Sequence, residues 1–331
     1  MRVLTLRELN RATLARQLLL ERRKLTPVQA IERVAGLQAQ YAPAPYVGLW
    51  TRVADFRREQ LERALRARRI VRAVLMRGTI HLVSLADYAT FLSAVGDPPW
   101  FGARTPDLGE DVYDAVGAFG REPRTRTEIA AFVDRPIEDL EWYALRTRAR
   151  LVHAPESGLW RPEGKTRYMT LPHEQPEPTE ARAQLVGRYL AAFGPATRAD
   201  ISEWSGLRMA DLEPVLAALC PRYRDERGRE LYDVPRAPIP PADAPAPVRF
   251  LPRFDNLVLS HKDRTRIIAD EHRPLVIDGG WVKSTILVDG FVAGTWEVEK
   301  GRVVPELLTR VSQAARRDVD DEAARLEAWL R

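Results

Sequence analysis

Two glutamines one residue apart, Gln38 and Gln40, stand in the stretch GLQAQYAPAPY. Their neighbours Leu37, Ala39, Tyr41, Pro43, Pro45 and Tyr46 leave little else polar nearby. A primary amide donates and accepts hydrogen bonds at once, so such a pair can position a water and a sugar oxygen together. It cannot act as a strong general base. It suffices only where the leaving group is already activated, as a cationic alkylated base is. The plainer reading is a polar pair at a helix C-terminus, solvated or satisfying frayed carbonyls.

Further polar residues fall into three groups. Arg77, Thr79 and His81, in MRGTIHLV, lie at and after a turn. They read equally as a tight turn with one polar strand face and as an Arg-tipped wing extending toward DNA. Arg66 and Arg69 belong to the basic run RREQLERALRARR, and Arg146 and Arg148 to RTRAR. Such runs either track phosphates or form a solvated charged face. Arg253, Asp255, Asn256, Asp263 and Arg264 crowd the stretch LPRFDNLVLSHKDR. A structural Arg–Asp network is the preferred reading there, with a place near DNA second. The five histidines (His81, His153, His173, His261, His272) show no metal spacing, and Cys220 is the sole cysteine. No phosphate loop, dinucleotide fingerprint or nucleophile elbow occurs, so neither metal nor cofactor is expected.

The elements that must position these residues are legible from period and caps. Residues 7–22 place Leu9, Leu14, Leu18 and Leu19 on one helical face. Thr26-Pro27 opens a second helix through VQAIERVAGLQAQ, with Gln38 near its buried end. Residues 57–69 form a basic helix, and Ile70–Met76 and Thr79–Val83 form a hairpin. Helix, helix, helix, hairpin is the order of a winged helix-turn-helix. Two later stretches repeat one another at about 70 residues' spacing. Both read Ala-Phe-Gly, a Pro-containing turn, then Thr-Arg-x-acid-Ile, with Thr125 and Glu128 in one and Thr197 and Asp200 in the other as capping boxes. A helix and a hairpin follow each. After the Pro/Ala linker at 235–247 the pattern turns to strands, with Asp289-Gly290 as a hairpin signal. A last helix spans 318–330. The expectation is an α+β chain of three tandem winged helix-turn-helix domains (1–105, 106–175, 176–234), the linker, and a small C-terminal β-barrel (248–331).

Of 331 residues, 51 are Lys or Arg and 46 Asp or Glu, giving a net charge of +5. That suits a polyanionic partner. No apolar run is long enough to span a bilayer, and the amphipathic N-terminal stretch does not read as a signal peptide. A cytoplasmic location, no membrane and a monomer are expected.

Taken together, GLQAQY (36–41), RGTIH (77–81), LPRFDNLVL (251–259), DR (263–264), GGW (279–281) and DGFVAGTW (289–296) resemble winged-helix DNA glycosylases of the AlkZ/YcaQ type. The motifs occur in family order along the whole chain. The resemblance implies three stacked winged helices and a barrel around a DNA-binding concavity. It implies hydrolysis of the N-glycosidic bond of bulky or crosslinking N7-alkylated purines in double-stranded DNA, in repair or self-resistance to a genotoxic natural product. Gln40 places the chain with the Gln-x-Gln branch of AlkZ rather than the Gln-x-Asp branch of YcaQ. Gln38 and Gln40 would then be catalytic. Arg66, Arg69, Arg77, Thr79, His81, Arg146 and Arg148 would meet DNA, and Tyr41, Arg253, Asp255 and Asn256 would support the centre. The competing class is a non-catalytic winged-helix DNA-binding protein, a regulator or a drug-sequestering resistance protein.

Overall fold

The computed structural model describes residues 1–96, 107–172, 174, 176–218 and 222–331. His173, Cys220 and the boundary expected at residue 105 lie outside them. The caps appear where the sequence puts them. Thr26 accepts from the Gln29 backbone N–H with Pro27 in the first turn, opening the helix Pro27–Arg33. Thr125 with Glu128 and Thr197 with Asp200 close reciprocal capping boxes on the helices Arg126–Phe132 and Arg198–Ser205. Each of these helices has a preceding partner, Glu110–Phe119 or Pro178–Phe193, and a following one, Asp139–Arg148 or Met209–Ala217.

The glutamine stretch departs from the expected helix. Pro27–Arg33 stops early, and the chain leaves it through Ala35 (φ 58°) and Gly36 (φ 88°). A left-handed residue after the last turn is the usual helix stop, and glycine adopts it without penalty. A Cβ at Gly36 would also meet the Val83 side chain at 3.0 Å. The stop frees Leu37–Gln38 to form a short strand.

That strand is the edge of a six-stranded sheet. Its order is Leu37–Gln38, Ile80–Ser84, Ile70–Val74, Val152–His153, Arg167–Met169, Arg124–Thr125. The hairpins of the first two expected units therefore share one sheet, joined where Arg72 stands opposite His153. The expected 151–162 hairpin (LVHAPES–GLWRP) is realised differently, because Pro155–Gly158 is a 3-10 turn and Val152–His153 pairs with Arg167–Met169. The third hairpin, Arg222–Asp225 with Glu230–Tyr232, takes Val3–Leu4 as a parallel third strand.

Packing also runs across the expected units. One core gathers Val83 and Phe91 with Leu185, Tyr189, Phe193 and Trp204. Another gathers Ile31, Leu37 and Trp50 with Phe250, Ile286, Trp296 and Leu326. Two fully buried ion pairs pin distant segments, Arg16 to Asp233 at 2.7 Å and Arg52 to Asp255 at 2.8 Å.

The C-terminal part is not a closed barrel. Its strands Arg249–Leu251, Thr285–Val288, Phe291–Glu299 and Arg302–Leu307 pair in that order as an antiparallel sheet. The two edge strands do not pair with each other among the described residues. The stretch LVLSHKDRTRII (257–268), whose apolar residues read as a strand in the sequence, instead starts in the short helix Asn256–Leu259 and continues in turns, because the Asp255 carboxylate caps the Leu257 N–H. The final helix Gln313–Leu330 starts earlier than expected and lays Val319, Ala323 and Leu326 against Phe250, Ile286 and Trp296. A helix thus buries the sheet face that closure would otherwise have to hide.

Candidate active site

The backbone on both sides of Gln38 is held. Leu37 and Gln38 pair antiparallel with Leu82 and His81. The Gly36 carbonyl accepts from Asn256 Nδ2 at 2.9 Å. The Ala39 N–H donates to the Ile80 carbonyl at 2.7 Å, and the Ala39 carbonyl accepts from Arg72 Nε and Nη2 at 3.0 and 2.8 Å. The Gln38 side chain is buried, and its Oε1 accepts from Arg77 Nη2 at 3.2 Å. Gln40, two residues on, is exposed. One amide is therefore fixed in the wall of the protein and the other stands in solvent beside it.

Arg72 is the positioning residue that sequence reasoning missed. Its signal was present, a lone cation in the apolar strand Ile70–Val74, all five residues of which are buried. Besides Ala39 it reaches His153 Nδ1 at 3.2 Å and the Ser157 carbonyl at 3.1 Å. Burial lowers its pKa to about 10, which leaves it charged at neutral pH.

His81 stands opposite Gln38 and is fully buried. Its Nδ1 lies 3.0 Å from the Thr79 carbonyl, which can only accept, so Nδ1 carries the proton. Nε2 is then an unprotonated acceptor and has no hydrogen-bond partner among the described residues. Burial, with repulsion from Arg77, lowers the His81 pKa to about 3. Burial followed by Arg72 and Arg146 drives His153 well below 6.5. Both rings are neutral in the folded protein, whereas the unfolded chain protonates them near pH 6.5. Their contribution to stability is complete above that pH. It is lost as pH falls toward the folded pKa, by up to about 1.4 kcal/mol per pH unit for each ring. The urea midpoint is expected to fall between pH 7 and pH 5, and His153→Gln should flatten that slope.

The remaining expected residues divide between core and surface. Arg77 does not extend from a wing. It folds inward onto the Trp204 carbonyl and Gln38. Thr79 Oγ1 donates to the Met76 carbonyl within the turn. Arg66 and Arg69 are exposed, Arg66 lying 3.4 Å from Glu62. Arg146 is half-buried against the Trp142 and Tyr143 rings, and Arg148 pairs with Asp107 and covers the Tyr113 ring. Tyr41 is exposed next to Gln40. Arg253 is exposed and 3.6 Å from Glu297. The structural-network reading holds for Asp255, whose partner is Arg52 rather than a neighbour in sequence. It also holds for Asp263, which pairs with Arg227 and Arg229.

The family model described as DNA glycosylase AlkZ-like matches residues 31–329. The chain belongs to this AlkZ-like DNA glycosylase family. As a family member it is a DNA glycosylase, and its substrate is DNA. It is 26% identical over 351 residues to an interstrand DNA cross-link repair glycosylase of Streptomyces sahachiroi, covering 93% of this chain and 92% of that protein. The solved structure of the S. sahachiroi DNA glycosylase AlkZ superposes with a TM-score of 0.83 at 22% identity, over 100% of this chain and 97% of that one. This α+β fold is therefore that of AlkZ. Among the described residues no helix of this AlkZ-like chain is long and apolar enough to cross a membrane.

Proposed function

We propose that this AlkZ-like protein hydrolyses the N-glycosidic bond of N7-alkylated purines in duplex DNA, interstrand crosslinks included. The crosslink assignment extends to this chain what the S. sahachiroi relative's name says of that protein. The observation that carries the reading is the clamped Gln38–Ala39–Gln40 segment, one amide fixed and one free. Its three helix-and-hairpin units are read as winged helices that present this segment to the duplex, with Arg66 and Arg69 among the cations facing phosphates.

Alkylation at N7 gives the purine a positive charge, so the C1′–N9 bond breaks with its electron pair leaving on the purine, which becomes neutral. The sugar takes up oxocarbenium character, and a water oxygen attacks C1′. The water's spare proton passes to solvent, beside which Gln40 stands. No strong base is required, and none is present in the segment. What the protein supplies is fixed dipoles around the developing charge. The Gln38–Gln40 segment contains no lysine, so no Schiff base forms on it and the enzyme is monofunctional.

A single-turnover assay on duplex carrying N7-methylguanine, and on a duplex with an N7-linked crosslink, tests the proposal. Release of free alkylpurine and an intact abasic strand are expected. Borohydride added during turnover should trap no protein–DNA adduct. Tight binding without any base release would leave a DNA-binding protein and no enzyme.

A further inference from the structure

Arg77 joins two segments that lie 127 residues apart in the chain. Its Nη1 donates to the carbonyl of Trp204, in the last turn of the helix Arg198–Ser205. Gly206, the left-handed cap of that helix, lies against the Arg77 backbone, where a Cβ would be in van der Waals contact with the Arg77 nitrogen at 3.4 Å. The turn is held from its own side as well, with Arg77 at φ 55° and Gly78 at φ 70°. A helix C-terminus carries partial negative charge and unpaired carbonyls, so it suits a guanidinium. No carboxylate pairs with Arg77 among the described residues, and the other end of its fork goes to Gln38 Oε1 at 3.2 Å.

A guanidinium only donates. Whatever faces it must accept, so the Gln38 carbonyl oxygen points at Arg77 and the Gln38 Nε2 is turned away. That Nε2 has no partner among the described residues. We propose that Arg77, anchored on the C-terminus of the Arg198–Ser205 helix, is a positioning residue that fixes Gln38 as a hydrogen-bond donor toward DNA and leaves the acceptor role, toward the attacking water, to Gln40. The proposal rests on the catalytic reading of the glutamine pair. It gives the third unit a task in the chemistry, since that unit's helix sets the rotamer of an amide in the first. It also replaces the expectation that Arg77 is itself a phosphate contact.

The test compares single-turnover excision with duplex affinity across a salt series. Gln38→Glu keeps an acceptor for Arg77 but cannot donate, so it should excise as poorly as Gln38→Ala. Arg77→Gln should lose on the order of tenfold to a hundredfold in rate while its duplex Kd stays within about threefold and its salt dependence is unchanged. Arg77→Lys should retain part of the rate. A cavity of about 330 Å³ opens beside Arg77, lined also by Glu203, Ser205 and Lys262. Added guanidinium ion should therefore partly restore Arg77→Ala, which a general loss of folding would not allow. Near wild-type excision by Gln38→Glu overturns the proposal. So does an Arg77→Gln protein that keeps its rate, or one that loses affinity with a salt slope lower by about one, the signature of a phosphate contact. Full activity of Gln38→Ala removes the catalytic reading of the pair, and this assignment with it. An inactive Gln38→Ala beside a fully active Arg77→Gln removes the positioning role alone.

Discussion

Changing Gln38 and Gln40 together to Ala is expected to abolish base excision, with a single-turnover rate at least about a thousandfold below wild type. Removing one preorganised donor from a site of developing charge costs roughly 10²–10³ in rate, and this variant removes both amides. Duplex affinity should change by less than about threefold, because phosphate contacts dominate it. The backbone of the segment is held by Asn256, Ile80 and Arg72, none of which uses a glutamine side chain. Gln40 is exposed, so its truncation leaves no internal void. Excision by high-performance liquid chromatography of released base, set against an electrophoretic Kd, reads the two effects separately. Residual wild-type excision would take the glutamines out of the mechanism.

The second large effect is on stability. Asp255→Ala should cost about 3–5 kcal/mol, because it strands the fully buried Arg52 guanidinium without its partner. The same carboxylate caps the helix Asn256–Leu259, and loss of such a cap adds about 1 kcal/mol. Urea unfolding measures the sum. The double variant Arg52→Met with Asp255→Leu should recover most of it, since a buried pair replaced by apolar groups of similar volume is often neutral. A single Asp255→Ala at wild-type stability would show that the pair is not load-sharing in solution. Excision should fall with stability here, because the adjacent Asn256 holds the carbonyl that ends in the Gln38 strand.

Local signals carried far in this chain, and nonlocal ones did not. Thr26, Thr125 and Thr197 cap where their side chains and the following acid or amide predict, because a capping box is settled within four residues. The hairpin at Arg227-Gly228 is of the same kind. The glutamine segment was misplaced at a helix end because the decision lies in Gly36, whose left-handed turn makes room for Val83 on a strand far along the chain. The pairing of Arg52 with Asp255 across 203 residues has no local trace. Nor does the inward fold of Arg77, whose anchor is a carbonyl of the third unit. The expected C-terminal barrel is an open four-stranded sheet, and the stretch after Asp255 starts as a helix because that carboxylate caps it. Gln38 and Gln40 themselves stand out in the sequence as a polar pair in an apolar stretch. What was not legible is that one is buried and the other free.

The helix Leu6–Arg16 has a further consequence, for the order of events during synthesis. Its Arg16 pairs with Asp233, 217 residues further on, besides the Leu190 and Pro238 carbonyls, and its Arg11 pairs with Asp289 and donates to the Ala244 carbonyl. Val3–Leu4 likewise waits for Arg222–Asp225. Domains made first on the ribosome usually fold first. This helix has no Asp233 or Asp289 to pair its buried arginines with until most of the chain has been made. The native seating of this helix and of the strand before it therefore depends on residues from the later two thirds of the chain.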